Sequence, residues 1–297
     1  MAKRRRKKSN KLFPALIAVI CFALVAFFQN NGVLPGTVNP NVDGNVYLHI
    51  IDVGQGSSTL IQQGNTGILI DAGELAYADK VSDYINACGI DELKYVVASH
   101  PHSDHIGGLP RVLENYKVGE VLMPEIDEEY LPTTKVYERL LDTIIARNIT
   151  ASYCEVGDVY TLGDIRMEIL GPVAQTEDLN NMSSICKLSV GETDIMVLGD
   201  AETYELERVY RYGGDFESEI LVMGHHGSRT SLYKYFLEAV DPIEALISCG
   251  RDNYYGLPHD ETIEYLMKNI IEYWRTDYSG NIVYLITSDG FERLENR

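Results

Sequence analysis

Cysteine is sparse and scattered. Five cysteines stand at 21, 88, 154, 186 and 249 with no CxxC pair, which excludes the thiolate metal sites that such pairs build. Spacing leaves disulfides open, and buried free thiols are the reading for the four outside the first apolar run. Basic residues are scarce in the body. The first eleven residues, MAKRRRKKSNK, hold seven of the 25 Lys and Arg and no acid, so 18 basic residues face 44 acidic ones over the remainder. A body that acidic repels polyanions at long range, which argues against an extended nucleic-acid platform but not against one local site. Long apolar runs are missing apart from one, LFPALIAVICFALVAFF at 12–28, so the chain has no multi-spanning pore. Solenoid repeats and low-complexity tracts are absent as well.

Seven positive charges ahead of that run place the N-terminus on the cytoplasmic side. The run reads as an uncleaved transmembrane anchor, with a cleaved signal peptide as the alternative. A lipoprotein reading through Cys21 fails because Ile20 before it is not small. Residues 29–45, QNNGVLPGTVNPNVDGN, are a linker rich in Asn, Gly and Pro. Residues 46–297 then form the folded part, outside the cytoplasm.

Strand-length runs follow: VYLHIIDV, SSTLIQQ, GILIDAG, KYVVAS and VGEVLMP, with helical patterns at 77–88, LPRVLENY and TKVYERLLDTIIARN. DVYTLGDIRMEILGP and ICKLSVGETDIMVLGD read as hairpins, then helix and strand alternate to a last hairpin, NIVYLITSDGFERLE. Two β-rich halves, each with outer helices, predict an α/β fold with an αββα layered sandwich.

Histidine is rare too, seven in the chain, yet VVASHPHSDHIGG crowds His100, His102 and His105 with Asp104 into six positions. Six of the seven histidines follow apolar runs: these three, then His225 and His226 in ILVMGHHGS and His259 in NYYGLPHD. Asp200 follows another, in MVLGDAE. Converging strand ends produce such a pattern; a scattered surface cluster does not. Imidazole and carboxylate donors suit Zn²⁺, Mn²⁺ or Fe²⁺. His49, inside the first strand, reads as a core or sheet-edge residue. Gly107 and Gly108 would let the loop bend around the cluster. Asp52 and Asp71 each end a strand near the rim, where they either hydrogen-bond the histidines or form turns. Arg275 and Asp277 in WRTD read as structural.

HPHSDH, followed by LGD and a later His, resembles the metallo-β-lactamase superfamily. In finer detail IIDVGQGSSTLIQ, ILIDAG, SHPHSDHIGGL, VLGDAE, HHGSRTS, YGLPH and WRTDYSGNI resemble, in order, the ComEC-like metallo-hydrolase domain, whose free-standing relatives include cell-wall phosphorylcholine esterases. The resemblance implies a dinuclear centre of Zn or Mn. His100 and His102 match the first-metal pair, Asp104 and His105 the second-metal ligands, and Asp200 the bridging aspartate. His226 would complete the second site, and His225 the first site or a contact to substrate. Two departures stand out: no histidine lies between His105 and His225, and Ser57 replaces the acid usual after DVGQG.

The mechanism implied is attack at phosphorus by a water shared between two cations ~3.5–4 Å apart. Asp104 would orient the water and His259 protonate the leaving oxygen, unless His259 merely caps the helix after it. Arg229 and Arg251 would clamp a phosphate, and Tyr254 and Tyr255 stack on a base or box a choline. The leading function is a metal-dependent phosphodiesterase or DNA nuclease. The alternatives are a phosphorylcholine or teichoic-acid esterase, a β-lactam hydrolase, and a binding module with a decayed site. The topology gives a direct test: protease added to intact cells should digest the body while the N-terminus stays protected. A body digested only after lysis overturns the orientation.

Overall fold

Short apolar runs broken at Gly and Asn become strands here because alternate residues find a sheet or a helix layer on each side. The computed structural model describes residues 44–295; the basic N-terminus, Cys21, the apolar run at 12–28 and the linker up to residue 43 lie outside the described residues. No described helix is long and apolar enough to cross a membrane.

The chain first lays down β1 (Val46–Ile50), β2 (Thr59–Gln63), β3 (Thr66–Ile70), β4 (Glu92–Val97), β5 (Lys117–Pro124) and β6 (Thr150–Cys154). It then builds β7 (Val159–Leu162), β8 (Ile165–Gly171), β9 (Ile185–Val190), β10 (Thr193–Val197), β11 (Ile220–Val222), β12 (Glu244–Ile247) and β13 (Glu272–Arg275). It ends with β14 (Ile282–Thr287) and β15 (Gly290–Leu294), which return to the first sheet. That sheet runs β15-β14-β1-β2-β3-β4-β5-β6, and the second runs β13-β12-β11-β10-β9-β8-β7.

Helices cover both outer faces: α1 (Ala78–Ala87), α2 (Ser103–Ile106), α3 (Leu109–Asn115) and α4 (Lys135–Arg147) on the first sheet, then α5 (Thr203–Tyr212), α6 (Lys234–Val240), α7 (Asp260–Lys268) and the short α8 (Thr276–Ser279) with the second. Three apolar clusters define the layers. Ile50, Ile61, Ile70 and Val97 meet Met167, Leu188, Val197 and Val222 between the sheets. Leu60, Leu69 and Val96 pack under Val81, Val112 and Leu140 of the first helices. Met196 and Leu221 pack under Leu206, Phe236 and Leu266 of the second set. The expected αββα order is the order found. In α4, Leu140 and Ile144 share the buried stripe one turn apart, Thr134 caps the start by accepting from the Tyr137 N–H at 3.3 Å, and left-handed Asn148 ends it.

β6 and β13 have no counterpart in the sequence reading. Each is the edge strand of its sheet, and no β13 residue is buried, so neither carries the apolar alternation that marks a strand. The two glycines after HPHSDH also act differently from expectation. Gly107 and Gly108 are in right-handed helical conformation. A Cβ on Gly108 would lie 2.2 Å from the Ala72 carbonyl oxygen, so the requirement is close approach of two backbones rather than a bend. His49 is buried, hydrogen-bonded through Nδ1 to the Tyr84 hydroxyl at 3.0 Å, and its pKa is depressed to about 4 by that burial. Cys88, Cys154, Cys186 and Cys249 are free and buried.

β3 to β6 run parallel, as do β10 to β13. The carboxyl ends of β3 and β4 therefore meet those of β10, β11 and β12 along one rim, where α/β proteins collect ligand groups. The start of α5 braces that rim. Asn181 Oδ1 accepts from the Glu202 and Glu205 N–H groups at 3.1 and 3.3 Å. Glu205 is itself fully buried, accepting from the Val173 N–H, and burial pushes its carboxyl up to about 7 from an ordinary 4.5. A carboxyl raised in the folded state favours folding below its unfolded pKa, and that contribution is lost as pH climbs through about 7. Glu205→Gln keeps the acceptor and removes the titration. It should add roughly 1–3 kcal/mol at pH 8 and little at pH 5, read as a Tm gain of a few degrees only at the higher pH. An equal gain at both pH values overturns the assignment.

Candidate metal centre

The loop after β4 turns at once into α2, whose His105 and Ile106 N–H groups donate to the His102 carbonyl at 3.1 and 3.0 Å. One helical turn thus gathers His100, His102, Asp104 and His105. Asp71, just past β3, sits at φ 61 and accepts from the Ser99 N–H at 2.8 Å, the Ser99 hydroxyl at 2.6 Å and His105 Nδ1 at 2.7 Å. With Nδ1 occupied, His105 aims Nε2 inward, 3.1 Å from Asp200 Oδ1.

Asp200 enters from the end of β10, held by its N–H donating to Ser183 Oγ at 2.9 Å. Its other oxygen, Oδ2, lies 3.8 Å from His100 Nε2, 3.8 Å from His225 Nε2 and 3.6 Å from His226 Nε2. His100 Nε2 faces His102 Nδ1 at 3.1 Å, and His226 Nε2 faces Asp104 Oδ2 at 3.1 Å. Asp200 therefore stands between one compact donor set and a looser ring of imidazoles. Asp104, His105, Asp200 and His226 each offer one ligand atom, all within 4.8 Å of one another. His100, His102 and His225 surround the remaining side.

His225 and His226 both adopt left-handed backbone, φ 49 and 55, which is unfavourable for residues with a Cβ. The turn is over-determined by bonds: His225 N–H to the Gly199 carbonyl at 3.0 Å, Ser228 N–H to the His225 carbonyl at 2.8 Å, and His226 Nδ1 to the Ser248 carbonyl at 3.0 Å. At Gly227, φ 80, an added Cβ would come within 2.5 Å of Pro258. His225 Nδ1 is oriented by Glu202 Oε1 at 3.1 Å.

The chemistry fits a cation. His105 Nε2 and Asp200 Oδ1 are buried, 3.1 Å apart, and make no hydrogen bond, an arrangement that a metal ligated by both would relieve. Burial opposes charge at His105, but Asp200 and Asp71 outweigh it and hold its pKa well above the usual imidazole range. Burial likewise pushes the Asp200 carboxyl up, and His105, His226 and His100 overcome this and hold it well below its usual range. Asp104 is depressed by His226 and His105 against the same burial. Metal binding at this pair requires the imidazole to be neutral, so it competes with protons.

Residues 51–251 match the metallo-beta-lactamase superfamily. The chain belongs to that superfamily. The match implies bound divalent ions and places this protein among its generally metal-dependent hydrolases. Its relatives are ComEC-like competence proteins. ComE operon protein 3 of Bacillus subtilis is 27% identical over 79% of this chain and 32% of its own length. Competence protein ComA of Neisseria gonorrhoeae is 29% identical over 91% and 38%, and Recombination protein 2 of Haemophilus influenzae 30% over 83% and 30%. The chain spans about a third of the length of these relatives. Among solved structures, the metallo-beta-lactamase fold protein YhfI from Bacillus subtilis superposes with TM-score 0.53 at 12% identity, covering 81% of this chain and 99% of that one. CmlA, a diiron beta-hydroxylase from Streptomyces venezuelae, gives 0.55 at 14%, covering 85% and 55%. These two likenesses show the shared fold.

A cavity of about 390 Å³ opens on the cluster, lined among others by His102, Asp104, Asp200, His225, His226 and Tyr255. Other candidates fall elsewhere. Asp52 does not touch the histidines as expected; its carboxylate takes Lys80 Nζ at 2.9 Å and the Gly54 N–H at 3.1 Å. His259 is outside the cavity lining, its Nδ1 accepting from the Arg229 N–H at 3.1 Å and its own N–H bonding the Gly227 carbonyl. Arg229 points to Glu261 at 3.4 Å, and Arg251 belongs to a neighbouring cavity. Arg275 and Asp277 form a two-point ion pair, as a structural role requires. Sequence reading missed Glu202, Ser99, Ser183 and Asn181, common polar residues whose only signal is proximity to a motif. Asp71→Asn should weaken metal affinity about 10–100-fold by loosening the His105 ring, while Asp200→Ala should loosen both ions. Chelator competition reads both, and an Asp71 variant with wild-type affinity overturns the orienting role.

Proposed function

We propose that this chain is an extracytoplasmic metal-dependent phosphodiesterase that cuts a nucleic-acid strand, held to the membrane by the segment before residue 44. The observation that carries the reading is the donor set Asp104, His105, Asp200 and His226, with His100 and His225 flanking the same buried Asp200, beside a cavity wide enough for a phosphodiester. The nucleic-acid part draws support from the competence and recombination names of the relatives, which align with most of this chain.

Two divalent cations, of Zn or Mn type, would supply a bound water of lowered pKa and charge stabilisation at the phosphoryl oxygens. Asp104 is the more exposed of the two central carboxylates, 28% against 4% for Asp200. It would therefore be the one to accept a hydrogen bond from the attacking water and hold it in line. If His100 and His102 hold the first ion with Asp200, His225, steered by Glu202 and lining the cavity, is left free and is better placed than His259 to donate to the leaving oxygen. Tyr255 lines the cavity and offers a ring to the group beside the scissile bond. Asn180 adds an amide at the same wall.

The full chain, loaded with Mn²⁺ or Zn²⁺, is tested against DNA, bis-p-nitrophenyl phosphate, a phosphorylcholine ester and a chromogenic β-lactam. DNA and the small diester should be cut, and Asp200→Ala should lower turnover by at least about 10³-fold. His225→Ala should cost about 10²–10⁴-fold on DNA and less on the activated diester, which needs little protonation of its leaving group. Preferred hydrolysis of the choline ester or the β-lactam overturns the nuclease reading in favour of that substrate. Inertness toward all four supports a binding module.

A further inference from the structure

A second cavity, of about 580 Å³, adjoins the metal cavity. Gln55 lines both. Its Oε1 accepts from the Gly250 N–H at 3.1 Å, which leaves the amide NH₂ as a donor at the shared wall. The residues that follow β12 border both spaces: Arg251 lines the second, Tyr255 the first.

The cavity lining carries two acids, Asp52 and Asp277, and two bases, Lys80 and Arg251, but they do not pair off evenly. Asp52 is matched by Lys80 at 2.9 Å, and the Asp277 carboxylate is matched by Arg275 at 3.0 and 2.6 Å. Arg251 makes no ion pair among the described residues. Its Nε and Nη2 both donate to the Asp277 backbone carbonyl, at 3.2 and 3.0 Å, which holds the guanidinium and leaves Nη1 to a ligand. In a body with 44 acids against 18 bases, a restrained guanidinium without an ion pair has the donor geometry and charge that suit a phosphate. Tyr77 and Tyr278 share the same walls. Tyr278 is 72% exposed, and the Arg275 guanidinium lies 4.5 Å from its ring centroid, bracing the ring.

We propose that this cavity holds the nucleotide next to the scissile phosphodiester, with its phosphate on Arg251 and Gln55 and its base against Tyr278. The inference rests on the nuclease reading and adds a subsite to it. Polyol-phosphate polymers of the cell wall share the phosphate but have no planar base, so the tyrosines favour a nucleic-acid strand.

The test uses the full-length, metal-loaded protein and a fluorescent phosphorothioate hexathymidylate, whose binding is followed by anisotropy. Arg251→Gln keeps a donor for the Asp277 carbonyl and loses the charge. It should weaken binding about tenfold at low salt and make the salt dependence shallower by about 0.7 in log–log slope. It should also lower, about tenfold, the ratio of kcat/KM on oligonucleotide to that on bis-p-nitrophenyl phosphate. Tyr278→Ala should weaken hexathymidylate about fivefold or more, while binding of an abasic oligomer, or of a polyglycerol phosphate, responds to Arg251→Gln alone. Wild-type binding by Arg251→Gln overturns the subsite, as does an equal loss for normal and abasic strands in Tyr278→Ala. Protein that binds the strand through both residues yet cuts no DNA sinks the nuclease reading and leaves the subsite standing. Cleavage with unaffected variants sinks the subsite alone, and no binding by wild type sinks both.

Discussion

A negative charge buried between two sheets governs this molecule. Asp200 is buried at the floor of the cavity, where an unpaired carboxylate would be costly. No lysine or arginine pairs with it among the described residues. Imidazoles from both sheets surround it instead: His100 and His105 from the first, His225 and His226 from the second. Such a cluster is compensated either by protons on the rings or by cations between them. The superfamily's chemistry uses the second solution.

Everything around the cluster limits how its rings can turn. Asp71 and Ser99 hold His105, Ser99 and Ser183 flank His100 Nδ1 at 3.1 and 3.3 Å, Glu202 holds His225, and the Ser248 carbonyl holds His226. These partners come from five separate strand ends or loops. Two consecutive left-handed histidines persist only because the neighbouring turn leaves them no alternative. Ligand geometry here is thus a property of the sandwich rather than of any single motif.

That division also explains what could be read beforehand. The layers were legible because a strand buried on both faces is a continuous apolar run, as in the ILI of β3, the IMV of β10 and the ILV of β11, and the ligand positions because histidine is too rare to cluster by accident. Edge strands β6 and β13 were illegible, since half their surface faces water. So were Ser99, Ser183 and Glu202, whose residue types occur everywhere and acquire meaning only through a partner distant in sequence. Asp52 shows the opposite error: it flanks a motif, yet the backbone turns it toward Lys80 and the adjoining cavity. His259 stands in a motif as well, but its ring closes a turn with the Arg229 N–H.

β1 runs from Val46 to Ile50 and delivers Asp52 and Gln55 to the same rim as the metal cluster. Its first residue pairs with Ile286 at the other end of the sheet. Five residues of extended chain cover about 16 Å, so residue 44 leaves the domain on the side away from the cavity mouth. The point where the described chain begins and the cavity mouth thus lie at opposite ends of β1.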